Sequence, residues 1–350
     1  MSLYDRLADL PLVIDDSDLE LRERDTSSGF LRTSTIISLH GDGATGRGED
    51  VTYDNEPHYE LVEAAPEFPF SEVETFGEFS ELVGDLELFV GDEPKDPIYR
   101  SYRRWGFESA ALDLALKQAG TDLATRLDTE YAPVSFVAST RLGEPPTLDR
   151  VEGLLADNPD LQFKLDPTDE WTPAIVDDLA ETDAVRILDL KGFYEGTDVD
   201  QSGDPDLYGM LLDSFPDAVV EDPDLTPETR PLFDGEEHRV SWDAPITGVE
   251  SVENLPWEPD WLNIKPSRFG SVESLLSTVE YCREYSIRMY GGGQFELGVG
   301  RQHLHALASL FYPDSPNDVA PRAYNDPEPE SDLPRSPLNP PADPDGFEWE

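Results

Sequence analysis

From about residue 134 to residue 290, short apolar runs of strand length alternate with helix-length amphipathic stretches. This rhythm constrains the chain more than any other feature it has. The runs fall at 134–138, 161–165, 184–190, 218–220, 239–242, 261–264 and 286–290. Strands separated by helices cannot pair as hairpins, so each crossover returns the next strand parallel to the last. Seven or eight such units are what a closed (β/α) barrel requires. The predicted fold class is therefore α/β, built on a modified (β/α)8 barrel of the TIM type.

Charged groups stand where such a barrel places its chemistry. Lys164 and Asp166 follow LQF, Asp189 and Lys191 follow VRIL, Glu221 follows DAVV, Asp243 follows RVSW, and Lys265 follows WLNI. The steps are 25 residues (164 to 189), 32 (189 to 221), 22 (221 to 243) and 22 (243 to 265), each about one βα unit. Consecutive strands thus deliver one charged group each to a shared rim. Carboxylates of Asp189, Glu221 and Asp243 converging there would repel one another without a cation between them. Hard oxygen ligands with room for water suit Mg²⁺. A lysine in a partly desolvated mouth beside such an ion has its pKa pushed down, towards use as a base near neutral pH. Taken singly, a strand-end aspartate is an ordinary solvated residue. The lysines are less ordinary, because the chain has only Lys95, Lys117, Lys164, Lys191 and Lys265, and three of these five stand at strand ends.

The segments flanking the barrel rhythm read differently. Residues 19–24 alternate, and 31–39 (LRTSTIISL) are β-branched and apolar, with glycine-rich turns between, as antiparallel strands require. Residues 57–65, 73–82 and 102–119 have helical spacing, and Gly120 follows the last as a stop. The predicted domains are an α+β unit over 1–130, the barrel over 131–320, and an acidic, proline-rich tail over 321–350. That tail has no periodicity and is expected to wrap the surface or to be partly disordered.

Charge excludes several roles. The chain carries 76 Asp+Glu against 25 Lys+Arg, a formal charge of −51. Phosphate backbones and anionic lipid surfaces repel such a chain, so neither nucleic acid nor membrane is an expected partner. An acid-coated, lysine-poor surface is what concentrated salt favours, and points to an extreme halophile; unfolding on dialysis into low salt would support this. Cys282 is the single cysteine, which excludes an intrachain disulfide. With no basic segment leading an apolar run at the N-terminus and no long apolar stretch, the expected location is the cytoplasm. The oligomeric state is not fixed by the sequence, and a homo-oligomer stays open.

The segment WLNIKPSRFGSVESLLSTVEYCREYSIRMYGGGQFELGVGR resembles the later barrel of the enolase superfamily, in its mandelate racemase and muconate lactonizing enzyme-like group. The likeness is to the muconate cycloisomerase and o-succinylbenzoate synthase branch, through an N-I-K-P-S-R-F-G strand and a following G-G-Q-F-E-L-G-V-G. Sequence around Asp189, Glu221 and Asp243 resembles that family's three metal ligands, and RTSTIISLHGDGATGRGEDVTY its N-terminal capping domain. The resemblance implies one Mg²⁺ on Asp189, Glu221 and Asp243. It also implies strand-end lysines that remove the α-proton of a small carboxylate substrate through a metal-stabilised enediolate. Elimination, cycloisomerisation and epimerisation all begin this way. Lys164 and Lys265 would face the substrate from opposite sides, and Gly292, Gly293 and Glu296 would lie against it.

One departure bears on the base. That branch carries Lys-x-Lys on its second strand, whereas here Lys164-Leu165-Asp166 puts an aspartate in the second place. Either Lys265 or Asp166 has taken over as base, or Lys164 is itself the base. Lys191, two after Asp189, would point the same way by strand period, into catalysis or into an ion pair with Asp166. A relative that binds metal or a carboxylate without turnover is the second reading. The Gly41–Gly46 stretch fits GxGxxG formally, but a β-like VTY follows instead of a helix, so no cofactor-binding loop is assigned; a hairpin turn is expected. None of the five histidines has ligand spacing, and Cys282 reads as a core residue.

Overall fold

The structure, a computed structural model, describes residues 2–194 and 201–349. After a single helical turn at Asp5–Ala8 come three antiparallel strands: β1 (Asp16–Asp25), β2 (Leu31–Gly41) and β3 (Ala44–Asp50), in the order β1-β2-β3. The Gly41–Gly46 stretch is the β2–β3 hairpin, with Asp42 and Gly43 both at positive φ (46° and 76°), as a two-residue primed turn demands. Helices α1 (Glu56–Ala64), α2 (Phe76–Asp85) and α3 (Ile98–Gln118) complete this unit. Strand β3 lies so close along α3 that a Cβ on Gly48 would stand 1.9 Å from the carbonyl oxygen of Gly106. A glycine is needed there because strand and helix backbones touch.

Seven parallel strands follow: β4 (Ala138–Thr140), β5 (Phe163–Leu165), β6 (Val185–Asp189), β7 (Val219–Glu221), β8 (Val240–Trp242), β9 (Trp261–Ile264) and β10 (Arg288–Gly291). Their spatial order is their chain order, from β4 at one edge to β10 at the other. The crossovers carry α4 (Asp149–Asp157), α5 (Pro173–Glu181), α6 (Pro205–Ser214), α7 (Val249–Glu253), α8 (Val272–Glu284) and, after β10, α9 (Val299–Phe311). Thr172, Asp204 and Ser271 cap three of these at their N-termini, accepting from backbone amides of the first turn. Asn317 and Asp318 close the curl: Phe136, just before β4, bridges Asn317, and Gly292, just after β10, bridges Asp318. This is the α/β barrel with a separate antiparallel sheet that the sequence predicts.

The barrel interior is layered by the strand period of two. Val137, Ile187, Val219 and Tyr290, with Trp261 against them, form an apolar floor. One step up each strand the inward positions become polar. The last residues, 338–349, run back along both units: Leu338 pairs with Val134, and Phe347, fully buried, stacks on His303 at 4.1 Å while its amide donates to Asp113 Oδ1 of α3 at 2.8 Å. Among the described residues no helix is long and apolar enough to cross a membrane.

Candidate active site

The floor residues fix which side chains rise into the mouth. Ile187 points inward, so Asp189 does too; Val219 carries Glu221 with it, and Trp261 carries Asn263 and then Lys265. On β5, Lys164 pairs in register with Ile187 after a shift between Phe163 and Lys164, and it therefore also faces in. In a closed ring of eight positions, β5 and β9 stand four steps apart. Lys164 and Lys265 thus rise from opposite walls, with β6, β7 and β8 between them.

Every one of these groups is buried. Lys164 Nζ donates to Glu221 Oε1 at 2.5 Å and lies 3.1 Å from Asp189 Oδ2 and 3.4 Å from Asp318 Oδ2. Glu221 Oε2 accepts from the Tyr290 hydroxyl and, at 3.2 Å, from Asn263 Nδ2. Asp243 Oδ2 accepts from Lys265 Nζ at 2.8 Å, Arg268 Nη2 at 3.2 Å and the Tyr194 hydroxyl at 3.2 Å. Asp222, behind the ring, accepts from the amides of Asp243 and Ala244, both at 2.8 Å, and so fixes the turn that presents Asp243. Asp189 and Glu221 are brought together on Lys164, while Asp243 is held beside them by Lys265 and Arg268.

Lys191 lies outside its strand, at φ 56°, so strand period does not direct it. Its Nζ nevertheless bonds Asp189 Oδ2 and sits 3.7 Å from Asp166 Oδ1. Asp166 is held on its other oxygen by Arg141 Nε at 3.1 Å, so the Lys191–Asp166 pair is present. Glu296 turns away from Lys265. Its Oε1 accepts from the Gln294 amide at 2.6 Å and its Oε2 faces Arg301 Nη2 at 3.2 Å. Gly293 passes directly beneath it, where a Cβ would stand 2.3 Å from Glu296 Oε2. Gly292 runs against the mouth itself: a Cβ there would meet Asn263 Oδ1 at 2.3 Å and Lys265 Cε at 2.9 Å.

The electrostatics follow from burial and excess negative charge. Five carboxylates (Asp166, Asp189, Glu221, Asp243, Asp318) share the mouth with Lys164, Lys191, Lys265 and Arg268, while Asp222 lies behind it and Arg141 flanks it. Burial and the neighbouring Asp189 push Glu221 well above the usual carboxylate range. Burial and Asp243 raise Asp222 to about 7. Burial also opposes ionisation of Asp243, but Arg268 and Lys265 hold it at about 2. Burial disfavours charged lysines, yet Asp189, Glu221 and Asp318 keep Lys164 well above its ordinary value; Asp243 does the same for Lys265. The lysines are thus held as ammonium ions by the carboxylates, the reverse of the depression expected beside a cation.

The donor chemistry fits a hard divalent ion. Three carboxylates rise from adjacent strands, acids outnumber bases, and Asp243 Oδ1 and Asn263 Oδ1 are buried acceptors with no partner. As they stand, the carboxylate oxygens are taken by ammonium groups. Among the described residues no three acidic, histidine or cysteine side chains are gathered closely enough to hold a metal. Tyr290, Asn263, Arg268, Asp222 and Asp318 were not singled out by the sequence reading. Asn263 and Tyr290 were within its reach, since each stands two before an inward residue. Asp318 comes from a stretch without periodicity.

Barrel and cap together have the fold of solved enolase-superfamily structures. Muconate cycloisomerase from Pseudomonas fluorescens superposes with a TM-score of 0.65 at 19% identity, over 88% of this chain and 87% of that one. An enolase-superfamily member from Listeria innocua gives 0.63 at 19% identity, over 91% and 88%. In sequence, o-succinylbenzoate synthase of Bacillus subtilis is 24% identical over 230 residues, which span 61% of this chain and 58% of that protein. The chain belongs to the DUF8230 family, a "Domain of unknown function": its C-terminal domain matches residues 130–326 and its N-terminal domain residues 5–126.

Proposed function

We propose that the chain is a Mg²⁺-dependent lyase or isomerase that removes the proton α to a carboxylate of a small substrate. The observation that carries this is the mouth itself: carboxylates on the adjacent strands β6, β7 and β8, flanked by buried lysines on opposite walls. Asp189, Glu221 and Asp243 would hold the ion. When bound, it supplies positive charge at the substrate carboxylate, where negative charge grows as the α-proton leaves. Lys164 and Lys265 would face the α-carbon from opposite sides; one, freed of its carboxylate partners and deprotonated to the neutral amine, would take the proton while the other stays an ammonium. Asp166 and Lys191, tied to each other and to Arg141 and Asp189, position this wall. Gly292 lets the β10 backbone pass against Lys265 without a side chain in the way.

Relatives named for o-succinylbenzoate synthesis, muconate cycloisomerisation and L-Ala-D/L-Glu epimerisation supply the substrate classes to try first. The test is exchange of substrate α-protons with D₂O, followed by NMR with and without Mg²⁺, on that panel. Magnesium-dependent exchange that vanishes in Lys265→Ala supports the proposal. Full Mg²⁺ binding with no exchange from any carboxylate would instead establish a relative without turnover.

A further inference from the structure

Away from the mouth, a cleft of about 930 Å³ runs between the β2–β3 face opposite α3, the first turns of α9, and the returning C-terminal segment. Its lining shares no residue with the mouth. In a chain with 76 acidic and 25 basic residues, this cleft is walled by Arg22, Arg47, Arg301 and Arg322, with only Glu20 and Glu348 as acidic counterparts.

Arg22 donates to Glu20 Oε2 at 3.0 Å, and the other three are incompletely partnered. Arg301 has a side chain only 9% exposed, and its nearest carboxylate is Glu296 at 3.2 Å. Arg47 reaches Glu348 at 3.7 Å, and Arg322 reaches Asp326 at 3.9 Å. Asp326 is already engaged by Arg24, through two bonds of 2.7 and 2.6 Å. Arg301 Nε and Arg322 Nη1 are buried with no hydrogen-bond partner. Burial and the nearby positive charges of Arg24 and Arg301 also lower the pKa of Arg322, so like charges are crowded here. Guanidinium groups carry five donors in a planar fork that matches the oxygens of carboxylate and phosphate. A pocket of this size admits a small organic ligand.

We propose that this cleft is a second ligand site, for an anion bearing carboxylate or phosphate oxygens. Its wall includes the turn at 297–300, whose amides donate to Glu49 from β3 (Leu297 N 2.6 Å, Gly298 N 3.0 Å, Gly300 N 2.9 Å). An occupant therefore bridges the cap sheet and the barrel at the joint that Glu49 already makes. The site does not depend on the reaction proposed above.

The test is calorimetric titration of the full chain with inorganic phosphate and, separately, with citrate, at fixed KCl and ionic strength. Saturable binding of either anion at one site per chain is expected, weakened at least tenfold in Arg322→Gln and in Arg47→Gln. Phosphate alone or citrate alone identifies the oxyanion preferred. Arg47, half exposed, carries the test if Arg322→Gln fails to fold. Lys265→Ala is expected to bind as the parent does. No saturable binding of either anion, equal binding in both arginine variants, or loss confined to Lys265→Ala would overturn the proposal.

Discussion

Two buried charge clusters in this molecule have opposite character. In the capping domain, Asp50 and Arg103 are both fully buried and bond at 2.7 Å. Asp50 Oδ1 accepts from the Thr52 amide and hydroxyl at 3.0 and 2.8 Å. Arg103 also donates to the Leu88 and Pro57 carbonyls and lies 3.9 Å over the Phe89 ring. His58 sits 3.7 Å from Asp50 and bonds Thr35 and the Thr52 carbonyl. Here one acid meets one permanent base and the donors and acceptors are matched. At the barrel mouth, acids outnumber bases, two carboxyl or amide oxygens lack partners, and lysines are shared between carboxylates. A closed, neutral cluster holds a fold together, whereas an open, over-acidic one is suited to take in a cation and a substrate.

The largest expected effect breaks the closed cluster. Arg103→Ala leaves Asp50 ionised, buried and unpaired, and should cost about 3–5 kcal/mol in chemical denaturation. A cost under about 1 kcal/mol would mean that Asp50 finds another counter-charge. At the mouth the ranking should invert. Lys265→Ala should lower α-proton exchange by about 10²–10⁴-fold while barely moving the melting temperature, because Arg268 and Tyr194 still hold Asp243. An unfolded variant, or one with full activity, would remove Lys265 from its assigned role.

Magnesium should sharpen the contrast. At 100 times its dissociation constant it should raise the stability of the parent chain by about 2.7 kcal/mol. Glu221→Gln should lose most of that gain. Arg103→Ala should keep the full magnesium increment on its lower baseline. A gain that survives Glu221→Gln would place the ion elsewhere.

The smallest effect is in pH. Burial lowers His303 to about 3 and His305 to about 4, so both stay neutral in the fold where the unfolded chain takes up protons. Their contribution to stability is present above the ordinary histidine value of about 6.5 and is lost as pH falls towards 4 and then 3. Asp50 is opposed by burial but pulled to about 2 by Arg103 and His58. Its contribution is present above about 4 and fails only as pH approaches 2. Thermal melts from pH 8 to pH 4 should therefore show declining stability, with a shallower slope in His303→Gln. An unchanged slope in that variant would put the acid sensitivity on other groups.

Much of the barrel was legible because its strands are short, apolar and separated by helices. The β6, β7, β8 and β9 strands fall on the runs that reveal them, and period two then turns Asp189, Glu221, Asp243 and Lys265 inward. The cluster's remaining members were hidden for separate physical reasons. Asp318 arrives from a segment with no regular structure, yet it closes the ring between β10 and β4. Arg268 rides on the short helical turn Pro266–Phe269, where strand period no longer applies. Lys191 reaches Asp189 from a left-handed residue beyond the strand, so the contact exists although the argument for it does not hold. Glu296 accepts from the Gln294 amide and lies in ion-pair range of Arg301, because the turn after Gly293 directs it back towards α9. In the cap, the hairpin at 41–46 was readable from its glycines, but the burial of His58 against Asp50 was not, since long-range pairing leaves no local signal.

The central claim is that Asp189, Glu221 and Asp243 share one divalent ion. Crystals grown with Mn²⁺, an ion that takes the same oxygen ligands and scatters anomalously, test it most directly. The account predicts a single strong anomalous peak between those three carboxylates, with the ammonium groups of Lys164 and Lys265 displaced from them. A peak elsewhere, or a mouth in which the lysines keep their present carboxylate partners with Mn²⁺ in excess, would contradict it.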